Sequence, residues 1–151
     1  MRNPLLLSLT FICLQALSCN PRIQDEGLRL HRIKTGSPKE IKEFFAWTPE
    51  RVPVVCAHRG GSREGFPENC IGTFENTLKN VHALIEVDPR YTKDSVMVLM
   101  HDATVDRTTN GKGRLSDYTL VEIKMLRLKD TEGKLTDFKI PTLEEAMAWA
   151  R

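Results

Sequence analysis

Two acidic residues on a short apolar run are the first candidates for chemistry in this sequence. Glu86 and Asp88 are separated by one residue, so on a strand both carboxylates would project to the same face. Such a pair is costly on an apolar strand unless it is neutralised. A hard divalent cation, Ca²⁺ or Mg²⁺, takes oxygen ligands of this kind, and salt bridges to Arg90 or Lys93 would also neutralise them. The pair predicts a metal site or a solvated strand end.

Two histidines close further apolar runs. His58 is followed by Arg59, a planar charged fork suited to bidentate phosphate binding, and by two glycines that leave room for close approach. His101 suits proton transfer near neutral pH, and Asp102 would orient it or cap the following turn. Taken singly, each motif also fits a polar strand end with ordinary hydrogen bonds. Brought to one rim with the carboxylate pair, they form the set that phosphodiester cleavage needs.

Short apolar runs supply the strands that would position these groups. Residues 52–57, 83–87 and 96–100 are rich in Val, Ile and Leu, which favours strands, the first of them buried. Strand ends of this kind carry the active sites of α/β sheets and barrels. Residues 88–96 are too few for a helical crossover between parallel strands. An irregular loop therefore replaces it, or the third run is not a standard barrel strand.

Helical signals separate and follow these runs. Apolar positions at helical spacing predict a helix over 73–81. Capping-box spacing occurs at Thr119 and Glu122 and again at Thr142 and Glu145, and the second pair predicts a helix over 143–150. Strands and helices in this order indicate an α/β protein.

The first residues are typical of a secretory signal. Arg2 precedes a mostly apolar stretch, residues 5–17, which is shorter than the ~20 residues needed to span a bilayer. Small residues before Cys19 favour a bacterial lipoprotein signal over residues 1–18, although Ala16 stands where leucine is preferred. We expect export to the periplasm, or membrane attachment through a lipidated Cys19. Cleavage before Cys19 with release of soluble protein is the alternative.

A polar lead-in, residues 19–51, follows. Residues 38–47 predict a short helix that packs Phe44, Phe45 and Trp47 on the domain. Export permits a disulfide between Cys56 and Cys70, but two cysteines do not establish one, and we expect both to be unpaired.

The overall composition is that of a globular protein. The 151 residues are 40% hydrophobic and 28% charged, too apolar for a disordered chain. The formal net charge of +2 provides no basic stripe for nucleic acid, which we exclude as a partner.

A series of short motifs occurs in order along the chain: His58-Arg59-Gly60, Pro67-Glu68-Asn69, Thr73-Phe74-Glu75, Ile85-Glu86-Val87-Asp88, Thr92-Lys93-Asp94, His101-Asp102 and Asp106-Arg107-Thr108-Thr109-Asn110-Gly111. The series resembles the glycerophosphodiester phosphodiesterase family of the phospholipase C-like phosphodiesterases. The resemblance runs from about Val54 to the C-terminus and departs from the usual pattern at Cys70, Pro89 and Ser95.

The resemblance implies a TIM-type (β/α)8 barrel and hydrolysis of glycerophosphodiesters to glycerol 3-phosphate and an alcohol, with the substrate's own glycerol hydroxyl as nucleophile. It also implies a role for each site residue. His58 and His101 would be the acid–base pair, and Arg59 would contact the phosphate. Glu68 and Asn69 would line the site, and Glu86 and Asp88 would be ligands of Ca²⁺ or Mg²⁺.

A complete barrel takes ~250 residues, so residues 52–151 would be its N-terminal part, lacking a third metal carboxylate. We expect that such a piece alone neither folds stably nor turns over substrate, since an open sheet exposes edges and an apolar face. Two alternatives stay open. One is a sphingomyelinase D-like or phosphoinositide phospholipase C-like enzyme, and the other is an inactive, truncated surface binding module.

Overall fold

A computed structural model describes residues 30–33 and 35–151. Short helices and short strands both occur along them, as the sequence predicts for an α/β protein. The elements are α1 (Pro38–Phe45), β1 (Val55–Ala57), α2 (Ile71–Asn80), β2 (Ala83–Ile85), β3 (Pro89–Tyr91), β4 (Met97–Leu99), α3 (Leu120–Met125) and α4 (Leu143–Ala150), with 3₁₀ turns at His58–Gly60 and Leu115–Asp117.

The first two strands form a parallel pair joined by α2. Val55 lies opposite Ala83 and Ala57 opposite Ile85, and the Glu86 amide extends the pairing by donating to the Ala57 carbonyl at 3.1 Å. This register places the residue after β1 beside the residue after β2. Two polar segments distant in sequence therefore meet at one end of the pair.

The third predicted strand belongs to a separate antiparallel hairpin. Strand β4 pairs with β3, Pro89 opposite Leu99 and Tyr91 opposite Met97. The third run is therefore not a standard parallel barrel strand, the second of the two possibilities that the sequence left open, because a tight turn connects β3 to β4 in place of any crossover. Ser95 in that turn has φ 62°, a conformation that glycine adopts more easily. The hairpin returns the chain to the site, since the Met100 amide donates to the Asp88 carbonyl at 2.8 Å.

Both predicted capping boxes are present and begin helices. In α4, the Thr142 hydroxyl accepts from the Glu145 amide at 3.0 Å and the Glu145 carboxylate accepts from the Thr142 amide at 2.8 Å. Thr119 and Glu122 make the same pair of contacts in α3. Each box satisfies two amides that a helix start leaves without a partner.

Two apolar clusters hold the elements that position the site. Phe74 of α2, Leu99 of β4 and Ala146 of α4 pack together against Trp149. A larger cluster fixes the loops that follow β4. It comprises Cys70, Val98, Met100, Val105, Leu115, Ile123, Leu128 and Ile140.

Two packing predictions are wrong. The run 52–57 is buried only at Ala57: its strand is limited to Val55–Ala57, and Val52 is 81% exposed. Within the described part of the chain β1 pairs on one side only, which leaves its first residues uncovered. The helix over residues 38–45 exists, but Trp47 after it is 82% exposed, because α1 buries none of its residues.

The remaining expectations concern cysteines and the N-terminus. Cys56 and Cys70 are both free, as predicted. The signal over residues 1–18, the acceptor Cys19 and the lead-in up to residue 29 lie outside the described residues. Within residues 30–33 and 35–151 no helix is long and apolar enough to cross a bilayer, and the strands form two sheets of two. This portion is α/β, and the closed barrel is not seen in it.

Candidate active site

The turn after β1 sets the geometry of the site through an unusual backbone. Arg59 has φ 52°, in the left-handed region that non-glycine residues seldom adopt. Its amide donates to Glu86 Oε2 at 2.7 Å, and its carbonyl accepts from the Asn69 amide at 2.9 Å. Arg59 is thereby fixed between the end of β2 and the loop that leads into α2.

The Arg59 side chain lies among carboxylates, and its Nε–H group is left without a hydrogen-bond partner in the described part of the chain. Nη1 donates to both carboxylate oxygens of Glu68 at 3.2 Å, while Nε stands 3.7 Å from Asp88 Oδ2. Nε is buried and lacks a hydrogen-bond partner among the described residues. A buried donor without a partner is expensive, so this guanidinium is suited to donate to an anionic oxygen such as that of a phosphate.

Asn69 and Asp88 hold each other at the end of β2. Asn69 Nδ2 donates to Asp88 Oδ2 at 2.9 Å, and the Asp88 amide donates to Asn69 Oδ1 at 3.0 Å. The sequence predicted that Glu86 and Asp88 lie on a strand. This prediction is wrong, because β2 ends at Ile85 and both residues follow it. Arg59, and not Arg90 or Lys93, is the cation beside Asp88.

The two carboxylates fit a hard cation in part. Each is bonded within the described chain through one oxygen, Glu86 Oε2 and Asp88 Oδ2, which leaves a second oxygen to act as a ligand for Ca²⁺ or Mg²⁺. No group of three or more His, Cys, Asp or Glu side chains suited to a metal occurs in the described ranges. The donor chemistry therefore fits part of a coordination shell.

His101 is held by its neighbour in sequence. Its Nδ1 lies 2.7 Å from Asp102 Oδ1, and since a carboxylate only accepts, Nδ1 carries the hydrogen and Nε2 is left for a ligand. The backbone at His101 is fixed by Arg90 Nε, which donates to its carbonyl at 2.7 Å. His58 is exposed, and its side chain forms no hydrogen bond within the described part of the molecule.

Arg107 is a member of the cluster to which sequence reasoning assigned no role. Nη1 and Nη2 donate to the two oxygens of Glu68 at 2.8 and 2.9 Å. Nε and Nη2 donate to the two oxygens of Asp102 at 2.7 and 3.0 Å. The available signal was its position in the matching segment 106–111, because nothing in the spacing indicates contact with Glu68, 39 residues away.

These contacts lower the pKa of both carboxyl groups. Hydrogen bonding by Arg107 holds the pKa of Asp102 well below its usual range, against partial burial and with help from His101. Burial acts to raise the pKa of Glu68, but hydrogen bonds and charge from Arg107 and Arg59 outweigh it and the pKa is lowered. Both groups are carboxylates at neutral pH.

The structure thus joins most of the predicted site residues in one hydrogen-bonded cluster. Arg59, Glu68, Asn69, Glu86 and Asp88 are in direct contact, and His101 joins them through Asp102 and Arg107. His58 is next to Arg59 in sequence but is not bonded to the cluster.

Comparison with known proteins finds that the chain is similar to phosphodiesterases. The model of the glycerophosphoryl diester phosphodiesterase family matches residues 58–151. The bovine glycerophosphodiester phosphodiesterase 1 is 46% identical over 102 residues, covering 66% of this chain and 30% of that protein.

Solved structures of similar proteins share the fold of this portion. A glycerophosphoryl diester phosphodiesterase from Parabacteroides distasonis is 52% identical with a TM-score of 0.73, covering 75% of this chain and 40% of that one. An Oleispira antarctica phosphodiesterase in complex with the product sn-glycerol-3-phosphate is 33% identical with a TM-score of 0.56, covering 64% and 39%. The chain spans less than half the length of these relatives.

Proposed function

The chain belongs to the glycerophosphoryl diester phosphodiesterase family, and we propose that the whole protein hydrolyses glycerophosphodiesters to glycerol 3-phosphate and an alcohol. The observation that carries this proposal is the Arg59 guanidinium, half-enclosed by carboxylates with a buried Nε that lacks a partner in the described chain. The Oleispira antarctica relative bound to sn-glycerol-3-phosphate supports the substrate class.

In this proposal Arg59 contacts the phosphate. Glu68 holds one side of the guanidinium through Nη1, which leaves Nε and Nη2 for phosphoryl oxygens in the bidentate geometry that arginine favours. Asn69 keeps Asp88 in place through its two hydrogen bonds. Glu68 and Asn69 thus line the phosphate subsite and support it.

Glu86 and Asp88 would hold Ca²⁺ or Mg²⁺ as part of a larger ligand set. A bound divalent ion supplies positive charge that stabilises the phosphoryl oxygens as negative charge develops. The proposal predicts that EDTA abolishes turnover and that added Ca²⁺ or Mg²⁺ restores it. Isothermal titration with the metal alone gives a reading independent of activity, and Asp88→Asn should weaken that binding.

His58 and His101 would serve as the acid–base pair. One imidazole takes the proton of the substrate's glycerol hydroxyl, whose oxygen attacks phosphorus, and the other protonates the oxygen of the departing alcohol as its bond to phosphorus breaks. Water then opens the resulting cyclic phosphate with the proton transfers reversed. Asp102 would keep His101 in the tautomer that presents Nε2.

The test is turnover of glycerophosphocholine, followed by enzymatic detection of glycerol 3-phosphate and by ³¹P NMR for the cyclic phosphate. We expect His58→Ala and His101→Ala each to lower kcat by about 10²- to 10⁴-fold. His82→Ala, which alters an exposed histidine that contacts His31, serves as the matched control and should keep full activity.

The alternatives give different products. Neither a sphingomyelinase D-like enzyme nor a phosphoinositide phospholipase C-like enzyme would release glycerol 3-phosphate from glycerophosphocholine. A binding module would show no turnover, and its function would survive His58→Ala. Absence of glycerol 3-phosphate release from every glycerophosphodiester would overturn the proposal.

We also propose that the complete protein is a TIM-type barrel that is exported, with residues 1–18 as its signal and a lipidated Cys19 attaching it to the membrane. The support is the order of charged, apolar and small residues before Cys19. Metabolic labelling with a radioactive fatty acid should mark the wild-type protein and not Cys19→Ala. Equal labelling of the two would refute lipidation at this residue.

A further inference from the structure

Arg107 connects the two arms of the candidate site through two carboxylate forks. Its end-on fork, Nη1 and Nη2, binds Glu68, and its side-on fork, Nε and Nη2, binds Asp102, with all four distances between 2.7 and 3.0 Å. Exposed ion pairs usually contribute little, but paired forks in a network are the exception. Both partners are well covered, with side-chain exposures of 13% for Glu68 and 26% for Asp102.

The donors of Arg107 are almost fully committed to these partners. A guanidinium has five N–H groups, and four of them point at the two carboxylates. No complete fork is left for a phosphate, in contrast to Arg59, whose Nε has no partner in the described part. Arg107 is therefore placed to hold other residues and not to bind the substrate.

The loop that carries Arg107 is anchored to the protein core. Thr108 and Thr109 on its C-terminal side are 4% and 0% exposed. The Thr109 hydroxyl donates to the Val105 carbonyl at 2.7 Å, and the Thr108 carbonyl accepts from the Lys129 amide at 2.8 Å. A half-exposed arginine on a rigid support can impose a fixed geometry on its partners.

Each carboxylate in turn holds a residue of the proposed chemistry. Glu68 contacts Arg59 Nη1, and Asp102 contacts His101 Nδ1. We propose, on the basis of the function proposed above, that Arg107 is a positioning residue that sets the phosphate-binding arginine and the proton-transferring His101 in mutual register through Glu68 and Asp102.

The experiment compares Arg107→Met and Arg107→Lys with Arg127→Met. Arg127 is a similarly exposed arginine with one carboxylate contact, to Asp137 at 3.2 Å, and lies outside the cluster. Loss of a positioning contact in an outer shell lowers activity by about 10- to 100-fold. We expect that loss in kcat for both Arg107 variants. KM and the Kd for glycerol 3-phosphate should rise by less than kcat falls, because Glu68 keeps its own contact with Arg59 Nη1. Lysine should not rescue, because a single ammonium cannot form two forks.

A second measurement does not require turnover. The ¹⁵N-resolved NMR spectrum of the His101 ring should show the Nδ1–H tautomer in the wild type and in Arg127→Met, and a mixture of tautomers in Arg107→Lys. The lysine variant retains an alkyl stem and the positive charge, so it can be measured even if Arg107→Met does not fold. Wild-type protein that shows this tautomer but no turnover would refute the proposed function and leave the positioning role supported. A raised KM with unchanged kcat, full rescue by lysine, or an unchanged tautomer in Arg107→Lys would overturn the inference.

Discussion

Replacing Gly60 by alanine should destabilise the protein far more than the same replacement at Gly65. Both glycines have positive φ, 89° and 74°, so both variants force an alanine into a backbone region that L-residues avoid. They differ in their surroundings. A Cβ on Gly60 would overlap Cδ1 of Phe74, whereas one on Gly65 would have no atom within 4 Å.

The ring of Phe74 cannot easily move away from this Cβ. Phe74 is 1% exposed and packs against Leu99, Ala146 and Trp149. The backbone of Gly60 is also fixed, since its carbonyl accepts from the Thr77 hydroxyl at 2.6 Å. Either the ring or the turn bearing Arg59 must shift.

The magnitudes separate the two effects. The left-handed conformation costs an alanine about 1–2 kcal/mol, and this is the full cost expected for Gly65→Ala. Forcing a methyl group into a packed core adds about 1–3 kcal/mol, so Gly60→Ala should cost about 2–5 kcal/mol in all. A protein with an ordinary stability of ~5–15 kcal/mol would still fold well enough to be measured.

The assay is equilibrium unfolding in urea of the wild-type protein and the two variants, with the free energy of unfolding obtained by linear extrapolation at unchanged m. A difference between the variants of less than about 0.5 kcal/mol would refute the claim that overpacking against Phe74 adds its usual cost of ~1–3 kcal/mol.

Three further predictions follow from caps, charges and thiols. Thr142→Ala removes the hydroxyl that accepts from the Glu145 amide and should lower the free energy of unfolding by about 1 kcal/mol in urea melts; an unchanged midpoint would contradict this role. The pKa values of Asp102 and Glu68 are lowered in the folded protein, so as the pH falls the unfolded chain binds protons at these groups before the folded protein does. The stabilisation that their ion pairs contribute to the folded protein is therefore present above pH ~4 and is lost as the pH falls further. Acid titration of Arg107→Met should show a shallower loss than the wild type, and parallel curves would refute the linkage. Burial raises the pKa of the Cys70 thiol, so mass-spectrometric mapping of a thiol reagent should find exposed Cys56 modified first and Cys70 only on unfolding; equal rates would contradict the burial.

Local signals in the sequence predicted the helices well and the hairpin incompletely. Thr142 and Glu145 interact within one helical turn, so their spacing alone locates the start of α4. Just after β2, the Glu86 carboxylate accepts from the Arg59 amide, a contact across 27 residues that local spacing does not predict. The hairpin turn places Ser95 in a conformation that suits glycine, so composition gives little warning of it.

The composition of the cluster was predictable from residue types, but its connections were not. Arg59, Glu68, Asn69, Glu86 and Asp88 were identified by chemistry and resemblance, and they meet in the structure. That Arg59 would neutralise Asp88, and that Arg107 would join Glu68 to Asp102, depends on how distant loops close. The alternation of side chains along a strand does not reveal contacts between distant loops. It also led to the wrong prediction that Glu86 and Asp88 lie on β2.

The backbone strain at Arg59 is itself an argument for the use of its side chain. Only three described non-glycine residues have positive φ, namely Arg59, Asn69 and Ser95, and two of them lie in the cluster. Each such residue costs about 1–3 kcal/mol, and glycine at position 59 would avoid most of it while keeping the amide bond to Glu86. Glycine would lose the guanidinium. Asn69 combines a left-handed backbone, which asparagine tolerates, with the two hydrogen bonds that hold Asp88. The strain is thus found where a bulky side chain must leave a tight turn towards the carboxylates, which supports phosphate binding by Arg59.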